Sequence, residues 1–240
     1  MNLIVDIGNS RVKMAVMEQD DLIYSVNMDD FAISEVESLA RKYPLRRSIL
    51  SSTRGDVADV YEMIQRIVGH CLLFDAECPI PIKNSYATPQ TLGRDRLAAA
   101  VGATVVSSAD NQLIIDLGTA ITIDLVTAQG GYEGGVISPG VMMRFRALHQ
   151  FTASLPLCSP TTDVVDVART TKDAIEQGVM EGVLLEIGGH IDKNREKFEK
   201  IDVIFAGGDL KYFENRIKNT IFASRELVLV GLNRILEYNA

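Results

Sequence analysis

Two stretches of the chain share one pattern, an apolar run that ends in Asp-x-Gly. Residues 3–10 read LIVDIGNS and residues 113–120 read LIIDLGTA, and the two align without a gap. A second apolar run follows each of them, at residues 12–17 and 121–127. Apolar runs of this length on either side of a glycine predict two strands joined by a tight turn. The repeat therefore predicts an internal duplication in which each half of the chain begins with a β-hairpin.

Around these hairpins, stretches with helical periodicity alternate with short apolar runs. The predicted helices are residues 31–43, 57–68, 94–107, 226–238 and 171–198, the last as one helix or two. The further predicted strands are residues 48–51, 71–74 and 202–206. Strands that alternate with helices indicate an α/β protein with mixed sheets.

The composition narrows the class of protein. The 240 residues are 47% hydrophobic, which is enough for a substantial core. Lys and Arg total 24 against 32 Asp and Glu, and the net charge of -8 argues against a nucleic-acid surface. No apolar run approaches the roughly 20 residues that span a bilayer, and no basic leader segment opens the chain, so we expect a cytoplasmic protein.

Each Asp-x-Gly turn is a candidate phosphate site. Gly8 and Gly118 permit a positive φ or a close approach of phosphate oxygens to backbone N–H groups. Asp6 supplies a hard oxygen of the kind that Mg²⁺ prefers, bound directly or through water. A single Asp-x-Gly turn is more simply explained as a structural hairpin turn, in which Asp and Gly are common. The second copy, with Asp116 and Thr119, favours two turns that together clamp one polyphosphate.

A third glycine site follows the predicted strand at residues 202–206. Gly207 and Gly208 precede a helix predicted to begin near Leu210, and helix N-termini favour anionic groups. Gly-Gly is also common simply as a break between a strand and a helix, but after two phosphate turns it indicates an adenosine contact. The sequence contains neither the P-loop pattern G-x-x-x-x-G-K-S/T nor the Rossmann pattern G-x-G-x-x-G.

The order of these three sites resembles that of the superfamily of acetate and sugar kinases, heat-shock chaperone ATPases and actin. Residues 86–96, YATPQTLGRDR, closely resemble the Y-x-x-P-x-x-L-G-x-D-R segment of type III pantothenate kinases. That family also carries D-x-G-N-S/T, D-x-G-T-A-x-T-x-D and G-G-x-I-x-P-G, which match residues 6–10, 116–124 and 134–140. Further matches at 147–156 and 171–178 extend the resemblance nearly from end to end.

The resemblance implies two similar ribonuclease H-like α/β domains, at residues 1–110 and 111–240, with mixed five-stranded sheets and a nucleotide cleft between them. It implies phosphorylation of pantothenate by ATP to 4′-phosphopantothenate, the first step of coenzyme A biosynthesis. The implied ATP contacts are Asp6, Ile7, Gly8, Asn9, Ser10, Arg11, Val12, Lys13, Thr119, Gly207 and Gly208. The implied pantothenate contacts are Tyr86, Gly93, Arg94, Asp95, Arg96 and Thr171.

The chemistry of residues 93–96 agrees with the resemblance. An alcohol that attacks a phosphoryl group needs a carboxylate to orient it and accept its proton, and Asp95 is the candidate base. An arginine can bind a substrate carboxylate as a bidentate fork, and the resemblance assigns that role to Arg96. Arginines at a helix N-terminus oppose the helix dipole, which argues against a purely structural role for Arg94 and Arg96.

The resemblance further implies a monovalent cation, K⁺ or NH₄⁺, at Asp116, and a homodimer. Oxygen-ligand chemistry alone does not separate that ion from Mg²⁺, so both stay open at Asp116. The apolar stretch at residues 175–187 is a candidate for the dimer contact. Three rival functions remain at this stage: a kinase of another small carboxylated alcohol, a nucleotide-sensing regulator without turnover, and a phosphohydrolase.

Overall fold

The computed structural model of the protein describes residues 1–163, 165–214, 216–217, 221–223 and 226–240. Its strands are β1 (Asn2–Ile7), β2 (Val12–Glu18), β3 (Asp21–Met28), β4 (Arg47–Ser52), β5 (Cys71–Leu73), β6 (Asn111–Leu117), β7 (Ala120–Thr127), β8 (Gly131–Pro139), β9 (Asp202–Ala206) and β10 (Ile221–Ala223). Its helices are α1 (Ile33–Lys42), α2 (Ala58–Val68), α3 (Arg94–Val106), α4 (Val141–Gln150), α5 (Thr171–Lys197) and α6 (Leu227–Tyr238), with short 3₁₀ turns at Pro89–Thr91 and Gly208–Tyr212.

The two sheets share one topology. The first has the order β3-β2-β1-β4-β5 and the second has β8-β7-β6-β9-β10. In both, the hairpin strands are antiparallel, whereas β4 runs parallel to β1 and β9 runs parallel to β6. Each half of the chain therefore supplies a mixed five-stranded sheet built in the same way, which confirms the predicted duplication and fold class.

The first sheet buries apolar side chains on one face against α1 and α2. Alternate residues of β1 and β2 point to that face, as the two-residue period of a strand requires, and they pack with Val36, Leu39 and Ile64 of the helices. Both helices are amphipathic, with exposed charged residues on their outer sides. Full burial of one such aliphatic side chain contributes about 1.5–3 kcal/mol, so this core fixes the register of β1 and the position of the turn that follows it.

The opposite face of the first sheet carries α6, which packs on α3. The two helices approach unusually closely because glycines face each other: a Cβ on Gly102 would lie 2.2 Å from the Leu227 carbonyl oxygen, and one on Gly231 would lie 1.8 Å from that of Ala98. Asn233 of α6 also accepts a 2.8 Å hydrogen bond from the Asn2 side chain at the start of β1. The position of α3, and of the residues at its N-terminus, therefore depends on the end of the chain.

The chain divides into two compact units. The first contains Met1–Ser108, Gln129–Tyr132 and Glu226–Ala240, and the second contains Ala109–Ala128 and Glu133–Arg225. The sequence placed the division near residue 110, with everything after it in the second half. The terminal helix instead belongs to the first unit, because its apolar face is buried on α3 and β1.

The second unit has its core between one face of its sheet and the helices α4 and α5. Val141 and Phe145 of α4 and a stripe of α5 from Ile175 to Ile191 cover the apolar residues of β6, β7 and β9. The Thr170 hydroxyl accepts a 3.1 Å hydrogen bond from the Asp173 N–H and caps α5, which is one continuous helix.

Most predicted elements are confirmed within one or two residues, but five elements differ. The edge strands β3 and β8 were missed because most of their residues are exposed, so they lack the continuous apolar run of a buried strand. The strand β10 was missed because it spans only three residues. Helix α4 was missed because its buried side is narrow, with Val141 and Phe145 as its fully buried side chains. The helix predicted near Leu210 is a 3₁₀ turn, Gly208–Tyr212, that ends after little more than one turn.

Candidate active site

The first Asp-x-Gly turn joins β1 to β2. Ile7 pairs with Val12, and the Gly8 N–H closes the turn by donating to the Arg11 carbonyl oxygen at 2.9 Å. Asn9, Ser10 and Arg11 are exposed at the tip. A Cβ on Gly8 would lie 3.2 Å from the Arg11 carbonyl oxygen, so a side chain there would crowd the turn.

Asp6 lies at the buried base of this turn. Its side chain is 6% exposed, and its register partners are Lys13 on β2 and Ser51 on β4. Side chains that share a register position point to the same face of a sheet. The carboxylate is therefore flanked by an ammonium side chain and by a buried hydroxyl, at the edge where the parallel strands β1 and β4 end.

The loop after β4 braces the first turn. The Thr53 N–H donates to the Ile7 carbonyl oxygen at 2.9 Å, and Nε of Arg54 donates to the Gly8 carbonyl oxygen at 2.5 Å. The same guanidinium contacts Asp30 at 3.2 Å and the Asp29 carbonyl oxygen at 3.3 Å. Neither Thr53 nor Arg54 was among the predicted site residues, since each acts on a turn far away in sequence.

The second Asp-x-Gly turn joins β6 to β7 and is one residue shorter. Leu117 pairs with Ile121, and the Gly118 N–H donates to the Ala120 carbonyl oxygen at 3.1 Å. The strand residue opposite Asp116 is consequently Thr122, whereas the residue opposite Asp6 is Lys13. The ungapped alignment of the two repeats therefore holds only up to the turn, and the strands that follow are offset by one residue.

Two glycines hold the second turn by close backbone approach. Gly140, at the N-terminus of α4, donates its N–H to the Thr119 carbonyl oxygen at 3.2 Å, and a Cβ there would lie 2.3 Å from that oxygen. Gly207, after β9, has φ of 95°, and a Cβ on it would lie 2.5 Å from Oδ1 of Asp116 and 2.4 Å from the Leu117 carbonyl oxygen. The structure thus brings together Asp116, Thr119 and Gly207, and it adds Gly140 to them.

The Gly208–Tyr212 turn follows Gly207 directly in the chain and carries the carboxyl group of Asp209. Burial raises the pKa of Asp209, while the nearby Lys211 ammonium opposes that shift. Gly208 itself is exposed, with open space where a Cβ would lie.

The predicted substrate segment begins α3. The Asp95 side chain accepts a 2.9 Å hydrogen bond from the Arg96 N–H, and a Cβ on Gly93 would lie 2.5 Å from its Oδ1. Arg96 is 6% exposed, and its guanidinium lies 5.8 Å from the centroid of the Tyr86 ring. Tyr86 in turn packs against Tyr132 with 6.0 Å between ring centroids. Gly93, Asp95, Arg96 and Tyr86 therefore form one cluster.

Arg94 makes different contacts from Arg96. Its guanidinium donates to the Asp75 carbonyl oxygen at 3.2 Å and to the Pro89 carbonyl oxygen at 2.6 Å, and it lies over the Phe74 ring. Arg94 therefore ties the loop between β5 and α3 to the start of the helix, and its contacts are with the protein's own backbone.

Thr171, the remaining predicted substrate contact, is exposed at the first position of α5. Its neighbour Thr170 provides the helix cap, so the Thr171 hydroxyl is not the capping group. It belongs to the second unit, whereas the cluster around Arg96 belongs to the first.

Within the first unit, the candidate residues gather at one edge of the sheet. Asp6 is the second-last residue of β1, and the loop that Arg94 holds follows β5, a strand parallel to β4 and β1. Ligands of open α/β sheets bind at the carboxyl ends of such strands. Asp6, the first turn and the loop after β5 therefore lie at the same, carboxyl-terminal edge of the first sheet.

Two duplicated sheets of this order, each with an Asp-x-Gly hairpin, define the actin-like ATPase class. The activator of 2-hydroxyisocaproyl-CoA dehydratase from Clostridium difficile, solved with bound ADPNP, shares the fold with a TM-score of 0.57 at 13% identity, over 99% of this chain and 93% of that one. A Campylobacter jejuni structure named for the Baf family of transcriptional activators shares it with a TM-score of 0.65 at 21% identity, over 99% and 98%.

Sequence comparison identifies the family within this class. The model of the type III pantothenate kinase family matches residues 2–193. The type III pantothenate kinase of Phocaeicola vulgatus is 40% identical over 239 residues, which cover 100% of this chain and 99% of that protein. The chain belongs to the type III pantothenate kinase family, which consists of ATP-dependent kinases of coenzyme A biosynthesis.

Proposed function

We propose that this chain transfers the γ-phosphoryl group of ATP to the primary alcohol of pantothenate, giving ADP and 4′-phosphopantothenate. The oxygen of the alcohol forms the new bond to phosphorus as the bond to the ADP oxygen breaks, and the alcohol proton passes to a carboxylate. The observation that carries the proposal is the cluster of Asp95, Arg96 and Tyr86 at the start of α3, which offers a base beside a carboxylate-binding cation.

Asp95 is the residue we assign as the base. Its carboxylate is half-buried and oriented by the Arg96 N–H at 2.9 Å, on a helix whose rigidity aims it. A loose phosphoryl-transfer transition state keeps the proton on the alcohol until late, so a weak base suffices. Asp95 first orients the alcohol and then takes its proton.

Arg96 is the residue we assign to the pantothenate carboxylate. Its planar guanidinium matches a carboxylate with two parallel hydrogen bonds, and stacking beside Tyr86 limits its rotamers. Gly93 leaves room next to Asp95 Oδ1. In this proposal Arg94 acts indirectly, by holding the loop that precedes Tyr86, and Thr171 contributes a hydroxyl to the same substrate.

The ATP phosphates are assigned to the two turns. Asp6 and the residues from Ile7 to Lys13 form the first phosphate site, and Thr119 belongs to the second. Gly207 and Gly208 are assigned to the adenosine, because open space surrounds Gly208 and leaves the backbone there accessible to a flat ligand.

The oxygen ligands that the protein offers fit an Mg²⁺ ion that is held mainly by the phosphates of ATP. Among the residues that the structure describes, no cluster of three or more His, Cys, Asp or Glu is placed to hold a metal ion. Asp6 is a buried single carboxylate at the first turn, which suits an ion that usually takes one or two carboxylates plus substrate phosphates. When bound, Mg²⁺ would neutralise charge on the β- and γ-phosphates.

A monovalent cation, K⁺ or NH₄⁺, is assigned to Asp116. Oδ1 of Asp116 and the Leu117 carbonyl oxygen lie 2.5 and 2.4 Å from one point, the position that a Cβ on Gly207 would take, so two oxygen donors are close together there. Oxygen donors of this kind suit a hard cation.

The proposal includes a homodimer that works in the cytoplasm. The predicted dimer contact at residues 175–187 needs revision, because Ile175, Val179, Met180, Val183 and Ile187 are buried in the core of the chain's own second unit. The apolar side chains exposed on that unit instead include Ile137, Val136 and Leu185, which is 74% exposed. No helix in the described part of the chain is long and apolar enough to cross a membrane.

A coupled ADP-release assay tests the function directly. We expect ADP formation that requires pantothenate and that falls sharply with an analogue lacking the carboxylate. ADP release that is equal with and without pantothenate would indicate a phosphohydrolase, and nucleotide binding without ADP release would indicate a regulator.

The assigned base is tested by Asp95→Asn. Removal of a positioned general base typically costs about 10²–10⁴ in rate, so kcat should fall within that range while nucleotide affinity is kept. Asp59→Asn is the matched control, since Asp59 is an exposed aspartate in the first turn of α2. A variant that retains more than about half of the wild-type kcat, far outside that range, would transfer the role to Asp6 or Asp124.

The assigned anion site is tested by Arg96→Ala. The KM for pantothenate should rise by a factor equivalent to about 2–5 kcal/mol, with little change in the KM for ATP. Arg94→Ala should instead lower the melting temperature, because its guanidinium bonds to two backbone carbonyls. Equal losses for both substrates in Arg96→Ala would contradict the assignment.

A further inference from the structure

Arg54 makes contacts that no motif of the sequence indicates. It follows β4 and reaches back to the first turn, where Nε donates to the Gly8 carbonyl oxygen at 2.5 Å. Its two terminal nitrogens contact Oδ1 of Asp30 at 3.2 Å and the carbonyl oxygen of Asp29 at 3.3 Å. One side chain thus connects three loops at the carboxyl edge of the first sheet.

The bond to Gly8 fixes the direction of the next N–H group. The chain has no cis peptide bonds in its described part, so the Gly8–Asn9 peptide is trans and its C=O and N–H point in opposite directions. With the carbonyl of Gly8 directed at Arg54, the N–H of Asn9 is directed away from Arg54, toward the open side of the turn. The preceding peptide is held in the same way, because the Ile7 carbonyl accepts from the Thr53 N–H at 2.9 Å.

We propose that Arg54 is a positioning residue for nucleotide binding, which holds the first turn so that the Asn9 N–H faces the ATP phosphates. This inference rests on the proposed assignment of ATP phosphates to that turn. Oriented backbone N–H groups and a nearby fixed cation are the two features that favour a polyphosphate at a strand-turn junction. Arg54 supplies the first of these, because its bond to the Gly8 carbonyl oxygen sets the direction of the Asn9 N–H.

The ion pair with Asp30 does not explain the arrangement by itself. The Asp30 side chain is 90% exposed, and an exposed pair of this type contributes at most about 1 kcal/mol. The Gly8 contact is a charge-assisted bond to a carbonyl at 2.5 Å, from a side chain that is only 30% exposed. The bond to the Gly8 carbonyl oxygen, rather than the ion pair with Asp30, is therefore the main contact of Arg54.

Arg54→Ala and Asp30→Asn together test the proposal. Binding of a non-hydrolysable ATP analogue is measured by calorimetry, the pantothenate KM by the coupled assay, and folding by thermal melting. Loss of a charged hydrogen bond should weaken analogue binding about tenfold or more in Arg54→Ala, with the pantothenate KM within about twofold of wild type. Asp30→Asn keeps the Gly8 bond, so its analogue affinity should stay within about twofold of wild type.

Three results would overturn the proposal: unchanged analogue affinity in Arg54→Ala, an equal rise in the pantothenate KM, or an Asp30→Asn variant as weak as Arg54→Ala. If Arg54→Ala fails to fold, Arg54→Lys replaces it. Lysine keeps the charge without the planar fork, so analogue binding should weaken at least about threefold, and unchanged binding would again contradict the proposal. Failure of the wild-type protein to bind the analogue would refute the assignment of ATP itself.

Discussion

The turn after β1 and the turn after β6 start from the same Asp-x-Gly, but different contacts hold them in place. Side chains brace the first turn, since Nε of Arg54 donates to the Gly8 carbonyl oxygen at 2.5 Å and the Thr53 hydroxyl donates to that of Ile7 at 3.3 Å. The second is braced by glycine backbone packed against it. A side-chain brace can be weakened in steps, because a substitution removes one bond. A backbone brace fails abruptly, since an added Cβ has no space.

The comparison also shows what a duplicated framework preserves. Strand order and the position of the aspartate are the same in both halves, because buried strands tolerate few changes of register. The loop length, the residue opposite the aspartate and the supporting contacts all differ. The shared sheet therefore fixes the position of each aspartate, whereas the surrounding loops determine which other groups lie next to it.

The largest expected effect separates the roles of the two aspartates. Asp6→Asn removes the proposed Mg²⁺ carboxylate, so kcat/KM should fall by about 10² or more, as expected for loss of several kcal/mol of charge stabilisation. Asp116→Asn should chiefly weaken the stimulation by K⁺ or NH₄⁺. Initial rates in K⁺ and in Na⁺ at fixed ionic strength and fixed Mg²⁺ check both variants. Equal wild-type rates in the two salts would contradict the cation site at Asp116.

The next effect tests the backbone brace of the second turn. Gly207→Ala forces a side chain into a positive φ and against Oδ1 of Asp116, so we expect a loss of about 2–4 kcal/mol in the free energy of unfolding. Gly208→Ala is the matched control, because open space surrounds that position. Its stability should stay within about 0.5 kcal/mol of wild type. Urea unfolding followed by circular dichroism measures the stability of both variants. Similar stabilities of Gly207→Ala and Gly208→Ala would contradict the backbone brace of the second turn.

A smaller effect isolates packing from backbone strain. Gly140 has φ of −67°, which any residue adopts, so Gly140→Ala adds only a steric clash with the carbonyl oxygens of Thr119 and Gly118. We expect a loss of about 1–3 kcal/mol in unfolding free energy, as for other overpacked sites, together with a higher KM for ATP. Gly118→Ala meets only ordinary contacts, at 3.5 Å and beyond, and should be less destabilised in the same unfolding experiment.

The smallest effect concerns Glu186, which supports the segment between β8 and α4. It accepts hydrogen bonds from the Ser138 hydroxyl and from Arg144, whose Nε also donates to the Pro139 carbonyl oxygen at 2.8 Å. Burial acts to raise the pKa of Glu186, but the bonds from Ser138 and Arg144 and the charge of Arg144 outweigh it, so the pKa lies below its ordinary value of 4.5.

The sign of the pH dependence follows from that shift. A folded-state pKa below the unfolded one means that the carboxylate contributes stability above about pH 4.5, and that the contribution is lost as the pH falls through the folded-state value. The difference in unfolding free energy between wild type and Glu186→Gln should therefore be constant near neutral pH and shrink below about pH 4.5. A difference that grows on acidification would contradict this account.

Several of the candidate residues are close together in sequence. The resemblance to type III pantothenate kinases singled out Gly93, Asp95 and Arg96 at one helix start, and the repeated Asp-x-Gly pattern singled out Asp6 and Gly8 at one strand end. Arg54 and Gly140 were not predicted, because each is defined by contact with a turn that lies far away along the chain. The bonds from Arg94 to two backbone carbonyls could not be predicted either, because nothing in the neighbouring residues indicates them.

By itself, the sequence determined the duplication, the α/β class and the two Asp-x-Gly turns, because periodicity and turn chemistry are local properties. Tertiary structure alone decided that α6 belongs to the first unit, that the second turn is one residue shorter, and which groups brace each turn. These features depend on which surfaces bury each other. Gly102 and Gly231 show the reason: each is an ordinary helical glycine in sequence, and only their close contact explains why neither carries a side chain.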